Sequence, residues 1–356
     1  MRPSWAEIDL GAIRRNVSSL GRLFDPSQVC AVVKADAYGH GDVPVAEAAL
    51  EAGATWLAVA MLEEGIRLRE AGIQSPILLL SEPEERDAAA VVAWALTPSA
   101  YRRSFIDALG DAGASRIHIK IDTGMHRVGA PPGELGGLLA AARGRGIIVE
   151  AVWTHFAVSE EDPAFTTEQI AAFDHATHGL DLAMVHLANT AGGVLYPHAR
   201  RHLVRAGIGI YGIHPSPATR PAIDLVPAMR IVSRVAYLQR LPAGSRPSYG
   251  RRHPLSAEST VATVPIGYAD GVPRGLSASG RVLIGGKSHP MAGTVTMDQI
   301  VVDVGDDPVQ VGDEVVLIGR QGEGEITADD WAEQLGTIAY EIVCQIGPRL
   351  PRRYSA

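Results

Sequence analysis

Residues 29–53 read VCAVVKADAYGHGDVPVAEAALEAG: a short run rich in β-branched residues, a turn bearing Gly and His, then an Ala/Leu/Glu segment closed by glycine. The same order recurs as far as Ile213. Runs at 29–33, 56–60, 77–80, 95–97, 116–121, 147–154, 184–188 and 203–206 predict strands. Between them, stretches such as MLEEGIRLREAG (61–72), ERDAAAVVAWA (85–95) and PGELGGLLAAARGRG (132–146) predict helices, several ending at the glycine that a helix C-terminus favours. Eight strands alternating with helices imply βα units, and eight such units close into a barrel. An open doubly wound sheet is the alternative, but no G-x-G-x-x-G follows the first strand. After about Val226 the pattern changes to short β-rich runs such as STVATVPIGYA (259–269), IVVDVG (300–305) and DEVVLIG (313–319), punctuated by Gly, Pro and Asp. The expected fold is therefore α/β, an eight-stranded parallel (β/α)8 TIM-like barrel over 1–226 followed by a smaller, mainly β C-terminal domain over 227–356. The first ten or so residues are free to pack with that second domain.

Composition narrows the function classes. Of 356 residues, 46% are apolar and 20% charged, the balance of a globular chain with a sizeable core. A net charge of −8 argues against nucleic acid and anionic membranes as partners. No apolar run is long enough to span a bilayer, and MRPSWAEIDLGAIRRN has no signal-peptide core, so a cytoplasmic location is expected. The only cysteines, Cys30 and Cys344, sit inside apolar runs, which predicts two buried thiols and neither a disulfide nor a metal site. The 32 basic residues include only three lysines, Lys34, Lys120 and Lys287.

In such barrels chemistry collects at the C-terminal mouth. The predicted strands deliver Lys34, Ser81, Thr97, Asp122, His155, Asn189 and Arg205 at or just past their last apolar residue. An amine at an apolar rim has its charged form disfavoured by desolvation, which suits it to Schiff-base chemistry with an aldehyde. By itself this fits a Schiff-base aldolase as well as a cofactor-bearing lysine.

VVKADAYGHG (32–41) closely resembles the pyridoxal-phosphate attachment segment of the alanine racemase family. The likeness continues in order through IKIDTGMHRVG (119–129), THFA (154–157), HLANTAG (186–192), VRAGIGIYG (204–212), SYGRR (248–252), VPIGYADGVPR (264–274), TMDQ (296–299) and AYEIVCQIGPRLPR (339–352). The resemblance implies a homodimer with shared active sites and pyridoxal 5'-phosphate as cofactor. It makes Lys34 the covalent anchor and one catalytic base, and Tyr268 of the second subunit the other. It implies that Tyr38, Asn189, Thr190, Gly207, Ile208 and Tyr340 hold the phosphate, and barrels generally place a phosphate after their last two strands.

By the same resemblance Arg205 meets the pyridine nitrogen. An always-charged guanidinium leaves that ring unprotonated and a weaker electron sink, which favours proton removal and return over transamination. His155 would join Arg205 to Tyr268, His186 would brace Arg205, and Arg127 with the Met297 N–H would bind the substrate carboxylate. Lys120 is implied to be carbamylated or is an ordinary amine paired with Asp122. His118, His175 and His198 read as satisfied buried imidazoles. Asp298 belongs to the surroundings of Tyr268, near Thr294, which stands where the family frequently has arginine. The implied activity is interconversion of L- and D-alanine, supplying D-alanine for peptidoglycan. A broader racemase, or one for serine or a basic amino acid, is the alternative. A non-catalytic pyridoxal-phosphate-binding barrel is disfavoured by residues 227–356.

Overall fold

The computed structural model describes residues 2–277 and 279–356, which form two compact units. One unit comprises residues 11–37 and 41–226; the other comprises the N-terminus to Leu10, Tyr38–His40 and Pro227–Ala356.

The first unit is built on eight parallel strands: β1 (Gln28–Val32), β2 (Trp56–Val59), β3 (Ile77–Leu79), β4 (Thr97–Ala100), β5 (Arg116–Lys120), β6 (Ile148–Trp153), β7 (Met184–His186) and β8 (Leu203–Ala206). Each pairs with the next from β1 to β7, and β1 also pairs with β8. The last gap is closed by a single bridge, Asn189 to Arg205, with Arg205 N–H donating to Ala188 O at 3.0 Å. Helices cover the outside, so most strands are buried on both faces and read as unbroken apolar runs. The expected barrel is present.

Strand β4 lies later than the 95–97 expected. Ala95 has φ 48° and belongs to the turn that ends the preceding helix, while the strand itself is the unpromising TPSA, buried from Pro98 to Ala100. A proline normally argues against a strand, which concealed this one. Thr97 therefore begins its strand and leaves the set of residues at the C-terminal mouth.

Helix Leu10–Phe24 shows how the outer layer is held. Ala12, Ile13, Val17, Leu20 and Phe24 form its buried stripe, and Asn16 sits among them. Asn16 donates to Ile210 O (3.1 Å) and Val226 O (2.8 Å) and accepts from Val226 N–H (2.9 Å). One buried amide thus anchors the segment leaving the barrel.

In the second unit, strands Lys287–Pro290, Arg281–Ile284, Glu314–Gln321, Met229–Arg234, Trp5–Asp9 and Arg352–Ser355 lie side by side, with Gly324–Ile326 added on Glu314–Gln321. A second sheet holds Tyr237–Leu241, Ser259–Val264 and Ile300–Gly305. The unit is mainly β, as expected, though it also carries two short helices, Ala328–Leu335 and Ala339–Cys344. Cys344 is exposed on the second of these, against the expectation of two buried thiols; Cys30 is buried, and neither forms a disulfide. His175 and His198 are exposed rather than buried, because each sits on the outer face of its helical segment.

Replacing Asn16→Leu keeps the volume but strips Ile210 and Val226 of their partners. Stability should fall by about 2–4 kcal/mol, read as a lowered thermal midpoint.

Candidate active site

Strand β1 ends beside Lys34, which opens a helical turn, Lys34–Gly39, of the wrong hand. Ala35, Asp36, Ala37 and Tyr38 all have φ between 51° and 53°, followed by Gly39 at 78°. Left-handed helix costs an L-residue about 1–2 kcal/mol each, so the surroundings must hold it. Ala35 N–H donates to Glu64 Oε1 (2.6 Å), a carboxylate that also caps Ala60 and Met61 N–H. Asp36 accepts from Gly41 N–H through its carbonyl (2.8 Å) and from Asp42 N–H through its side chain (3.1 Å). On the barrel side, Tyr211 OH donates to Val32 O at 2.8 Å and fixes the strand end two residues before Lys34.

Arg205, third residue of β8, is only 2% exposed. Its Nη1 meets His186 Nδ1 (2.7 Å) and His186 O (3.3 Å); its Nη2 meets Thr154 O (2.8 Å), Leu187 O (2.8 Å) and His155 Nδ1 (3.2 Å). None of these acceptors is a carboxylate. Burial lowers its pKa to about 10, which still leaves it charged at neutral pH. All contacts use the two terminal nitrogens, so among the described residues no protein group takes up Nε–H.

Lys120, at the end of β5, is buried. Desolvation first, then Arg205 and Arg127, bring its pKa to about 7, with Asp122 opposing and Lys34 adding to the effect. Its ammonium lies 4.4 Å from the centre of the Trp153 ring, and the Arg205 guanidinium 4.5 Å. His155 is held well below the usual imidazole range by burial and by Arg205, Lys120, Arg127 and Lys34. The barrel mouth thus gathers Lys34, Lys120, Arg127 and Arg205 around a neutral imidazole. Asp122 is largely occupied locally, its Oδ1 accepting from Gly124, Met125 and His126 N–H. That surplus of cations, with a guanidinium donor left over, fits a bound anionic group bearing an acceptor. Arg127 is exposed on the loop that Asp122 organises.

After β7 and β8 the chain turns back toward the same end. Asn189 caps the helix Thr190–Leu195 through Oδ1, accepting from Gly192 N–H (2.8 Å) and Ser159 Oγ (3.1 Å), which leaves its Nδ2 hydrogens to donate. Thr190 Oγ1 accepts from Gly207 N–H at 2.9 Å, so that backbone donor is committed and the hydroxyl hydrogen of Thr190 is the one directed elsewhere. Ile208 then begins a single helical turn, whose first N–H groups have no partner inside it.

The remaining candidates belong to the second unit. Tyr38 is buried and Tyr340 partly so, their rings 6.2 Å apart; burial pushes the Tyr38 hydroxyl well above its ordinary pKa. Arg352 donates to Gly39 O (2.8 Å), and a Cβ on Gly39 would lie 2.3 Å from Val343 O, so this close approach requires glycine. Tyr268 and Met297 are 43% and 52% exposed on two loops stitched together by Tyr268 N–H to Thr296 O (2.9 Å) and Ala269 N–H to Met297 O (3.1 Å). Arg349 joins those loops from behind, at 2.6 Å from Asp298 and 3.3 Å from Asp270. Thr294 is buried, its hydroxyl donating to Tyr249 O.

The sequence reading missed three contributors. Glu64 braces the left-handed turn, Trp153 supports Lys120 and Arg205 from the barrel interior, and His118 lies 3.2 Å from His186. The spacing of His118 two residues before Lys120 places both on one strand face, and that was the available signal. Among the described residues no group of His, Cys, Asp or Glu could hold a metal ion, and no helix is long and apolar enough to cross a membrane.

Comparison with known proteins agrees along the whole chain. Residues 8–215 match the family pattern "Alanine racemase, N-terminal domain" and residues 228–354 its C-terminal counterpart. A curated alanine racemase of Symbiobacterium thermophilum is 45% identical over 99% of this chain and 97% of its own length. One of Frankia casuarinae is 45% identical over 99% and 96%. Among solved structures, alanine racemase of Bacillus anthracis with bound L-Ala-P superposes with a TM-score of 0.94 at 38% identity, covering 100% of this chain and 96% of that one. A histidine racemase of Leuconostoc mesenteroides superposes at 0.92 with 29% identity, covering 100% and 98%. With one continuous likeness spanning both units, the chain belongs to the alanine racemase family.

Proposed function

We propose that this protein interconverts L- and D-alanine, using pyridoxal 5'-phosphate anchored on Lys34, in a homodimer whose second units complete one another's barrel sites. The observation that carries the reading is Arg205, a buried cation with its Nε–H left over, set among Lys34, Lys120 and Arg127. Bound there, pyridoxal phosphate supplies the electron withdrawal that makes the α-hydrogen of an amino acid removable.

The chain's own residues divide the remaining work. Tyr38, Tyr340, Asn189 Nδ2, the Thr190 hydroxyl and the turn at Gly207–Ile208 would hold the phosphate. Arg205, charged at neutral pH, donates to an acceptor placed at its Nε without giving up the proton. Arg127 and the Met297 N–H of the partner's second unit would hold the substrate carboxylate, a planar fork suiting a planar anion. Removal and return of the α-proton on opposite faces needs two groups, and these are Lys34 and the partner's Tyr268. His155 accepts from Arg205 at Nδ1, so as a neutral ring it carries its proton on Nε2. That donor stabilises a tyrosine oxygen as an anion and so helps the partner's Tyr268 act as a base. Arg349, Asp298 and Asp270 hold the loops that carry Tyr268 and Met297.

An amine with a pKa near 7 is substantially neutral at physiological pH, and a neutral amine adds carbon dioxide by forming an N–C bond and releasing a proton. A carbamate on Lys120 would set an anion among Arg127 and Arg205, offsetting the surplus of positive charge. The exposed Tyr268 and Met297 side chains support pairing with a second subunit. Two cysteines outside any disulfide support a cytoplasmic location, and D-alanine for peptidoglycan is the role the family's activity serves. The histidine racemase likeness favours one second reading, a racemase of broader side-chain choice; rates on serine and basic amino acids relative to alanine decide it.

In deuterated water the protein with L-alanine should yield both enantiomers carrying deuterium at the α-carbon. Tyr268→Phe should lower turnover about 10²–10⁴-fold; unchanged turnover in both directions removes Tyr268 as a base. Borohydride reduction of the cofactor-loaded protein should label Lys34, and a label on another lysine overturns the anchor. Lys120 gives a pH signature in carbonate-free buffer. Its folded pKa is depressed, so the cost of a charged Lys120 is complete below about pH 7 and fades as pH rises toward the unfolded value of about 10.5. Thermal stability of the wild-type protein should therefore rise over that window relative to Lys120→Met, which should be the more stable of the two at low pH.

A further inference from the structure

Behind Arg205 runs a line of buried groups that none of the steps above uses. Arg205 Nη1 lies 2.7 Å from His186 Nδ1, His186 Nε2 lies 3.2 Å from His118 Nδ1, and His118 Nε2 lies 3.5 Å from Glu150 Oε2. The other Glu150 oxygen takes Arg116 Nη1 at 3.1 Å. Both imidazoles are fully buried, and His118 Nε2 has no closer acceptor among the described residues than this carboxylate.

Chemistry at the two ends gives the line a direction. A guanidinium nitrogen only donates, so His186 Nδ1 must be bare. His186 is kept neutral by burial and Arg205, and His118 is held below its usual range, mainly by burial. A neutral ring has one proton, so His186 carries it on Nε2 and donates to His118 Nδ1; His118 then carries its own on Nε2, facing a group that only accepts. One register leaves no two donors opposed and points His118 Nε2–H at the Glu150 carboxylate 3.5 Å away, whereas reversing either ring sets two donors against each other.

The backbone is shaped to bring Glu150 into this line. The β5–β6 ladder passes from Ile117 opposite Val149 to His118 opposite Ala151, so Glu150 is the extra residue of a bulge, a device that re-aims a side chain. Indole rings hold the two imidazole planes: Trp153 stacks on His186 at 5.4 Å and 12°, and Trp56 lies 5.1 Å from His118.

We infer that His118 and Glu150 are positioning residues for Arg205. Glu150 selects the tautomer of His118, His118 selects that of His186, and the bare nitrogen so presented orients the guanidinium. Without an acceptor at position 150 the His118 proton is free to occupy Nδ1, where it opposes His186 Nε2–H and drives the His186 proton toward Arg205. The tautomer assignment rests on the geometry of the line and the neutrality of its buried rings, whereas its effect on turnover rests on the racemase reading.

The test uses the whole protein with nitrogen-15-labelled histidine, the two signals assigned by loss in His118→Phe and His186→Phe. In the wild-type protein both rings should show a bare Nδ1 and a protonated Nε2. Glu150→Leu should abolish that pattern and lower kcat about tenfold with KM for alanine little changed, while Glu150→Gln, which keeps an acceptor oxygen, should restore both. A wild-type His186 protonated on Nδ1 overturns the inference, and this holds even where Glu150→Leu does not fold. So does a folded Glu150→Leu protein with unchanged signals and kcat. Failure of the wild-type protein to racemise alanine would instead sink the functional reading and leave the tautomers to be decided by the spectrum.

Discussion

A guanidinium buried without a carboxylate beside it is the constraint around which the barrel site is arranged. Arg205 must satisfy its donors where it stands, and it does so with the carbonyls of Thr154 and Leu187 and the imidazoles of His186 and His155. Those acceptors come from the ends of β6 and β7, so satisfying one side chain also sets the geometry of the last barrel gap, where Asn189 bridges Arg205. The same buried charge helps keep both imidazoles neutral and helps depress Lys120. A neutral, oriented histidine and a chemically available amine follow from burial first and from this uncompensated cation second.

A second stored cost lies at the other side of the mouth. Four successive non-glycine residues in left-handed helix, Ala35 to Tyr38, follow the proposed anchoring lysine. Such strain persists only where surroundings over-determine it. Here the Glu64 carboxylate accepts from Ala35 N–H and the Asp36 carboxylate from Asp42 N–H, so both are spent on holding backbone rather than on chemistry.

Much of this was legible before any coordinates. Alternating apolar runs and helix-like segments specified the barrel because parallel strands buried on both faces leave little choice of residue. The motif residues at strand ends were legible because strands must deliver side chains to the mouth. Strand β4 was obscured by Pro98 and the polar residues around it, and Cys344 looked buried because a short amphipathic helix and a buried strand share an apolar composition. His118 looked like ordinary core because its role depends on which atom lies 3.2 Å away on β7, and distance between strands leaves no trace along the chain.

By itself, then, the sequence determined the kinds of element, their order, the change of pattern near residue 226, and the family through ordered motifs across both units. Local propensity and hydrophobic period are written residue by residue, so they can be read without folding the chain. Tertiary structure alone decided the hand of the turn after Lys34, the neutrality of the buried imidazoles, the depressed pKa of Lys120 and the alignment of Glu150 with His118 and His186. Each of these depends on burial and on separations of a few ångströms between strands, quantities that exist only once the barrel has closed.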